Sequence, residues 1–150
     1  MNSKNVPCTS TLDDNKNIFT FDHIGFGKEG DVGWTRIMKN NEIKDSLGFY
    51  TRHIDPILTS LTENTLIGSA WQWPKDSKLN NGPFFNYHLD FNTRKTEELP
   101  TRGKLIIISN DGTKAVFLES ECVKNPDSLK LGTECNDKNL SLRTIELPLK

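Results

Sequence analysis

The segment that most limits what this chain can fold into is residues 103–118. Two apolar runs, residues 105–108 and 115–118, flank Ser109, Asn110, Asp111, Gly112 and Thr113. Three consecutive isoleucines favour a pleated strand, because a second substituent on Cβ crowds a helical turn. Asn110, Asp111 and Gly112 tolerate the positive φ that a tight antiparallel reversal requires. The segment therefore reads as a β-hairpin. Because the runs are unbroken rather than alternating, they predict strands covered on both faces, at the centre of the fold.

The surrounding pattern is also that of strands. Ile18, Phe19, Thr20, Phe21, Asp22, His23 and Ile24 alternate, with Phe19, Phe21 and His23 on one side. Residues 25–33 hold four glycines, but Trp34-Thr35-Arg36-Ile37-Met38 follows as a strand, so they read as a turn and not as a phosphate cradle. Asn40-Asn41 predicts a second turn, and residues 45–54 lean towards strand. Residues 65–73 read as a strand stopped by Pro74. In residues 85–91, Phe85, Tyr87, Leu89 and Phe91 are expected inward and Asn86, His88 and Asp90 outward. Residues 93–102 read as a charged connection. The last strand, residues 140–147, changes apolar phase between Leu142 and Ile145, as a bulge near Arg143 and Thr144 would cause.

One helix is expected, near residues 55–63. Asp55 suits an N-cap, Pro56 the first helical position, and Ile57, Leu58 and Leu61 one apolar stripe. The fold class is mainly β: a small antiparallel β-barrel or β-sandwich with this single short helix. Residues 1–16, polar and poor in apolar groups, read as a flexible N-terminal arm, and residues 17–150 as one β-rich domain.

Charge narrows the partners. Nineteen basic and 20 acidic side chains leave a formal charge of −1, with no basic excess to collect phosphates, so nucleic acid is not expected. The longest apolar run is far too short for a membrane span. Residues 1–8 lack the apolar core of a signal peptide, which fits either a cytoplasmic protein or a mature form whose leader was removed. The cysteines favour the second, a secreted or periplasmic location. Cys122 and Cys135 bracket a loop with Asn125, Pro126, Asp127 and Gly132, where a disulfide would contribute about 3 kcal/mol by restricting the unfolded chain. Cys8 is left over. Asn139-Leu140-Ser141 is a formal N-glycosylation triplet.

Catalytic signatures are sparse. His23, His53 and His88 each neighbour an aspartate, and a histidine-dependent hydrolase or nuclease would need two of the rings within about 6 Å of each other. None of the histidines has the helical spacing of a metal motif, and no Gly-x-Ser-x-Gly elbow is present. No cofactor or metal is expected. The candidate contact residues are Trp71, Trp73, Lys75, Asp76, Phe84 and Tyr87, an aromatic concentration around the loop at residues 75–83. The leading expectation is a non-enzymatic protein-binding module. An immunity or inhibitor protein of this kind neutralises a toxin or enzyme by inserting exposed loops, here residues 75–83 and 124–134. The alternative is a β-barrel that binds a small ligand or carbohydrate at a mouth formed by Trp71, Trp73 and Tyr87.

Overall fold

The computed structural model describes residues 10–11, 17–25, 27–28, 32–52, 55–71, 84–120, 123 and 139–147. They form β1 (Ser10–Thr11), β2 (Ile18–Ile24), β3 (Val32–Lys39), β4 (Glu42–Arg52), β5 (Ile57–Ser60), β6 (Thr65–Trp71), β7 (Phe84–Asp90), β8 (Lys95–Glu98), β9 (Lys104–Ile108), β10 (Lys114–Glu119) and β11 (Ser141–Glu146). Three antiparallel sheets result, ordered β1-β2-β3-β4, β5-β6-β7-β8 and β11-β10-β9. The sheets do not close into a barrel. Side chains join them instead.

The second sheet lies in the middle. One of its faces meets the first sheet: Leu58, Leu66, Ala70, Leu89 and Phe91 pack with Phe19, Phe21, Ile37 and Phe49. Its other face meets the third sheet, where Ile67 packs with Ala115, Phe117 and Ile145. Leu66, Ile67, Gly68, Ser69 and Ala70 are accordingly all buried, one residue after another. Each large side chain hidden in this way contributes about 1.5–3 kcal/mol. A Cβ on Gly68 would stand 2.8 Å from the ring of Phe49, so the two sheets approach closely only because that position is glycine.

Several expectations need correction. Residues 55–63 do not form a helix: Ile57, Leu58, Thr59 and Ser60 pair with Ser69, Gly68, Ile67 and Leu66. A segment with two apolar residues among four fits either period, and the edge of β6 decides for strand. Asp55 caps no helix; its carboxylate accepts from His23 Nε2 at 2.9 Å. The hairpin at residues 103–118 forms as the turn residues require, with Gly112 at φ 70° and its N–H donated to the Ser109 carbonyl at 3.0 Å. It belongs to the outer third sheet, however, and is bare on one side: Ile106 and Ile107 are 50% and 62% exposed. The centre is β6.

The expected bulge in β11 is absent, since β10 and β11 pair in continuous register from Lys114 opposite Glu146 to Glu119 opposite Ser141. Leu142 simply faces outward while Ile145 faces the core. The irregularity lies in β9, where Ile107 pairs with Val116 but Leu105 with Phe117, leaving Ile106 as the extra residue. Residues 95–98 of the charged connection are strand β8. His88 and Asn86, expected outward, are buried, because both faces of the middle sheet are covered.

A polar spine runs through the join between the second and third sheets. Ser69 Oγ donates to Asn86 Oδ1 at 2.7 Å, and Asn86 Nδ2 donates to the carbonyls of Thr101 and Gly103 at 3.0 and 2.9 Å. Thr101 Oγ1 donates to the buried Glu119 carboxylate at 2.8 Å, and Arg143 Nη1 donates to the Pro100 carbonyl at 2.6 Å. Buried polar groups left unpaired are costly, so this chain of bonds fixes where the backbone crosses from one sheet to the next. No helix among the described residues is long and apolar enough to cross a membrane.

Candidate functional site

The strongest concentration of recognition chemistry is the outer face of the first sheet. The Asn40-Asn41 turn, at φ 54° and 61°, joins β3 to β4 as a tight hairpin. The register then slips: Lys39 pairs with Glu42 but Met38 with Ser46, so residues 43–45 have no partner on β3. The slip sets the parity of β4. Ser46, Gly48 and Tyr50 face outward beside Met38, Arg36 and Trp34, while Phe49 turns into the core.

Across the three strands, Ile24, Trp34 and Tyr50 stand in one register file, and all three are exposed, at 40%, 39% and 62%. The rings of Trp34 and Tyr50 meet edge to face at 5.0 Å and 80°. The Trp34 indole also lies over Gly48, where a Cβ would stand 2.6 Å from Cε2 of the ring and 2.7 Å from Cζ2. The same Cβ would stand 2.6 Å from the Thr35 carbonyl oxygen, so any other residue at 48 would disturb both the indole and the β3–β4 pairing. One file along, Arg36 clasps Asp22 with Nε at 3.0 Å and Nη2 at 2.5 Å. That hydrogen bonding holds the guanidinium pKa above its ordinary value despite partial desolvation.

Beside this platform runs a groove of about 380 Å³, lined by Trp34, Arg36, Ser46, Gly48, Arg94 and Thr96. Arg94 reaches it from the β7–β8 turn, where Asp90 Oδ1 accepts the N–H groups of Asn92 and Thr93 and Arg94 takes a φ of 60°. Its Nη1 donates to Asp45 and its Nη2 to the Ser46 carbonyl, both at 2.8 Å. Asp45, the last residue without a partner on β3, and Ser46, where pairing resumes, thus receive the arginine.

The residues singled out from sequence are distributed otherwise. Trp71 and Phe84 pair across β6 and β7, with ring centroids 4.3 Å apart, on the face turned to the third sheet; Phe84 is buried. Tyr87 lies on the opposite face, stacked on Phe49 at 4.5 Å, and burial raises its pKa. The middle sheet separates Tyr87 from the Trp71–Phe84 pair. Trp73, Lys75 and Asp76 lie outside the described residues, as do the loops at 75–83 and 124–134 and the three cysteines Cys8, Cys122 and Cys135.

Of the histidines, His53 is outside the described residues, and the other two lie on different sides of the middle sheet. His88 shares the face of Ile67, and burial lowers its pKa against the opposing pull of Asp90 and Glu97. His23 bridges Asp55 to Thr35 Oγ1, 3.0 Å from Nδ1, and Thr35 in turn bonds Thr51. The order Asp–His–hydroxyl resembles a nucleophile relay, but Thr35 is fully buried, closed to any substrate. What the relay does is pin β2 to the entry of β5. Among the described residues no three histidine, cysteine, aspartate or glutamate side chains gather as a metal site. A second cleft, about 480 Å³, opens where the polar spine ends, between Glu98, Thr101, Arg102, Glu119, Val123 and Arg143. Its charges pair with one another, Arg102 with Glu98 at 3.2 Å and Arg143 with Glu119 at 3.5 Å.

Comparison with protein-family models, with curated proteins and with solved structures finds no match to this chain.

Proposed function

We propose that the chain is a non-enzymatic binding module that blocks or neutralises another protein, as an immunity or inhibitor protein does, and that the outer face of its first sheet makes the contact. The observation that carries this reading is the exposed file of Ile24, Trp34 and Tyr50 beside the Asp22–Arg36 pair. Tryptophan, tyrosine and arginine dominate the energetics of protein contacts, and a rigid aromatic pair loses little entropy on binding. The reading takes residues 17–150 as one domain, an open stack of sheets of the sandwich kind. It also takes the protein as secreted or periplasmic, with a Cys122–Cys135 disulfide.

Affinity capture from the native source tests it. The wild-type chain is expected to retain a protein partner, and Trp34→Ala and Tyr50→Ala each to weaken retention by about tenfold or more. Capture of no protein partner, or of one indifferent to both substitutions, overturns the proposal.

A further inference from the structure

We infer that the group received at Trp34 is a neutral pyranose with equatorial hydroxyls, as in glucose- or N-acetylglucosamine-type units. The inference rests on the reading that the outer face of the first sheet is the contact surface, and it names what that surface recognises. Three observations converge on it.

The first is the platform. Gly48 admits the indole, and Tyr50 holds it edge-on. An indole so placed offers a π-surface with negative charge at its face. The axial C–H groups of an equatorially substituted pyranose form a flat, weakly positive, apolar surface, which is the complement of such a ring.

The second is the size and lining of the groove. About 380 Å³ lies at the lower end of small-ligand sites. Its lining is divided about evenly between apolar surface, with the indole, Leu47 and Gly48, and the polar groups of Arg36, Ser46, Arg94 and Thr96. An apolar peptide side chain would strip water from these groups without replacing it. A sugar carries hydroxyls around its rim and can bond to them.

The third is charge. Each arginine on the groove already holds a carboxylate, Arg36 with Asp22 and Arg94 with Asp45, and this pairing offsets the positive charge that would otherwise favour an anion. Arg36 directs two of its five donors at Asp22 and keeps the rest. The clasp holds the planar guanidinium of Arg36 fixed at the groove wall, and a fixed fork of donors suits the oxygens of adjacent hydroxyls. Such a unit is carried here by the glycan of the protein partner; a free polysaccharide would present the same chemistry at Trp34, and the test separates the two.

The test is titration of the ¹⁵N-labelled chain with chitotriose, cellotriose and maltotriose, followed at the Trp34 indole N–H. At least one trisaccharide is expected to shift that signal, with affinity falling about tenfold in Trp34→Ala and less in Trp34→Phe, which keeps a ring. Tyr50→Ala, which removes the ring that meets the indole edge to face, is expected to weaken binding by a smaller factor. Leu142→Thr, on the outer face of the third sheet, is expected to leave it unchanged. A captured protein partner treated with glycosidases tests the source: lost retention supports its glycan, and unchanged retention together with trisaccharide binding overturns that source in favour of a free polysaccharide. If no trisaccharide shifts the signal and a deglycosylated partner is still held through Trp34, this inference fails and the binding module stands. If neither sugar nor protein binds at Trp34, both fail. Sugar binding indifferent to Trp34→Ala overturns the site.

Discussion

Strands β6 and β9 are both short apolar runs, and the chain treats them in opposite ways. Leu66, Ile67, Gly68, Ser69 and Ala70 are buried in succession, with a sheet against each face. Leu105 and Ile108 pack inward, while Ile106 and Ile107 meet solvent. What separates them is the small residues. Gly68, Ser69 and Ala70 let neighbouring layers approach to ring-contact distance, whereas three isoleucines in a row offer bulk on both sides but leave no room for a second layer. An unbroken apolar run therefore reports strand propensity, and close approach is reported by the residues that lack a side chain.

The comparison breaks most sharply at matched truncations. Leu66→Ala is expected to cost about 2–5 kcal/mol by urea unfolding, and Ile107→Ala about 0.5 kcal/mol or less. Equal losses would mean that β9 is covered after all. Next in size is Asn86→Ala, which leaves the Ser69 hydroxyl and the carbonyls of Thr101 and Gly103 without their partner. The expected cost is about 1–3 kcal/mol for each group not rescued by water, read in the same unfolding experiment.

A smaller effect separates the two regions by pH. Burial lowers the pKa of His88, so on acidification the unfolded chain takes up this proton before the folded one. The stability tied to a neutral His88 is complete above about pH 6.5 and is lost as pH falls through the lower folded value. His88→Gln is expected to flatten the urea midpoint over that range; an unchanged slope would remove His88 as its source.

The smallest effect belongs to the exposed hairpin turn. There Thr113 and Ser109 donate to Asp111 and bring its pKa down to about 2. The contribution of these bonds is present above the ordinary value of 3.8 and fades as pH falls through about 2. Thr113→Val is expected to move the Asp111 titration, followed by NMR, back towards 3.8.

How much of this could be read from the chain varies by element. The alternation in β2 and the turn chemistry at residues 109–113 are local, so they were legible. The segment at 55–63 was not, because Asp55 and Pro56 imitate a helix start and nothing local records that β6 needs an edge partner. The inward placement of Asn86 and His88 depends on a third sheet covering the second, which no period-two pattern contains. The Trp34–Tyr50 platform stayed hidden for a related reason. Its placement follows from the slip between Lys39 and Ser46 and from Gly48 standing opposite Arg36 under the indole, and both are properties of register rather than composition.

The extra residue at Ile106 bears on what a strand from another copy could pair with. Among the described residues β9 pairs only with β10, so its far rim offers amides and carbonyls beside two water-facing isoleucines, a template for stacking chain upon chain into fibres. Ile106 throws the spacing of those amides out of step. A visiting strand could match one half of β9 but not both, and deleting this single isoleucine is the change by which the chain would acquire a polymerising edge.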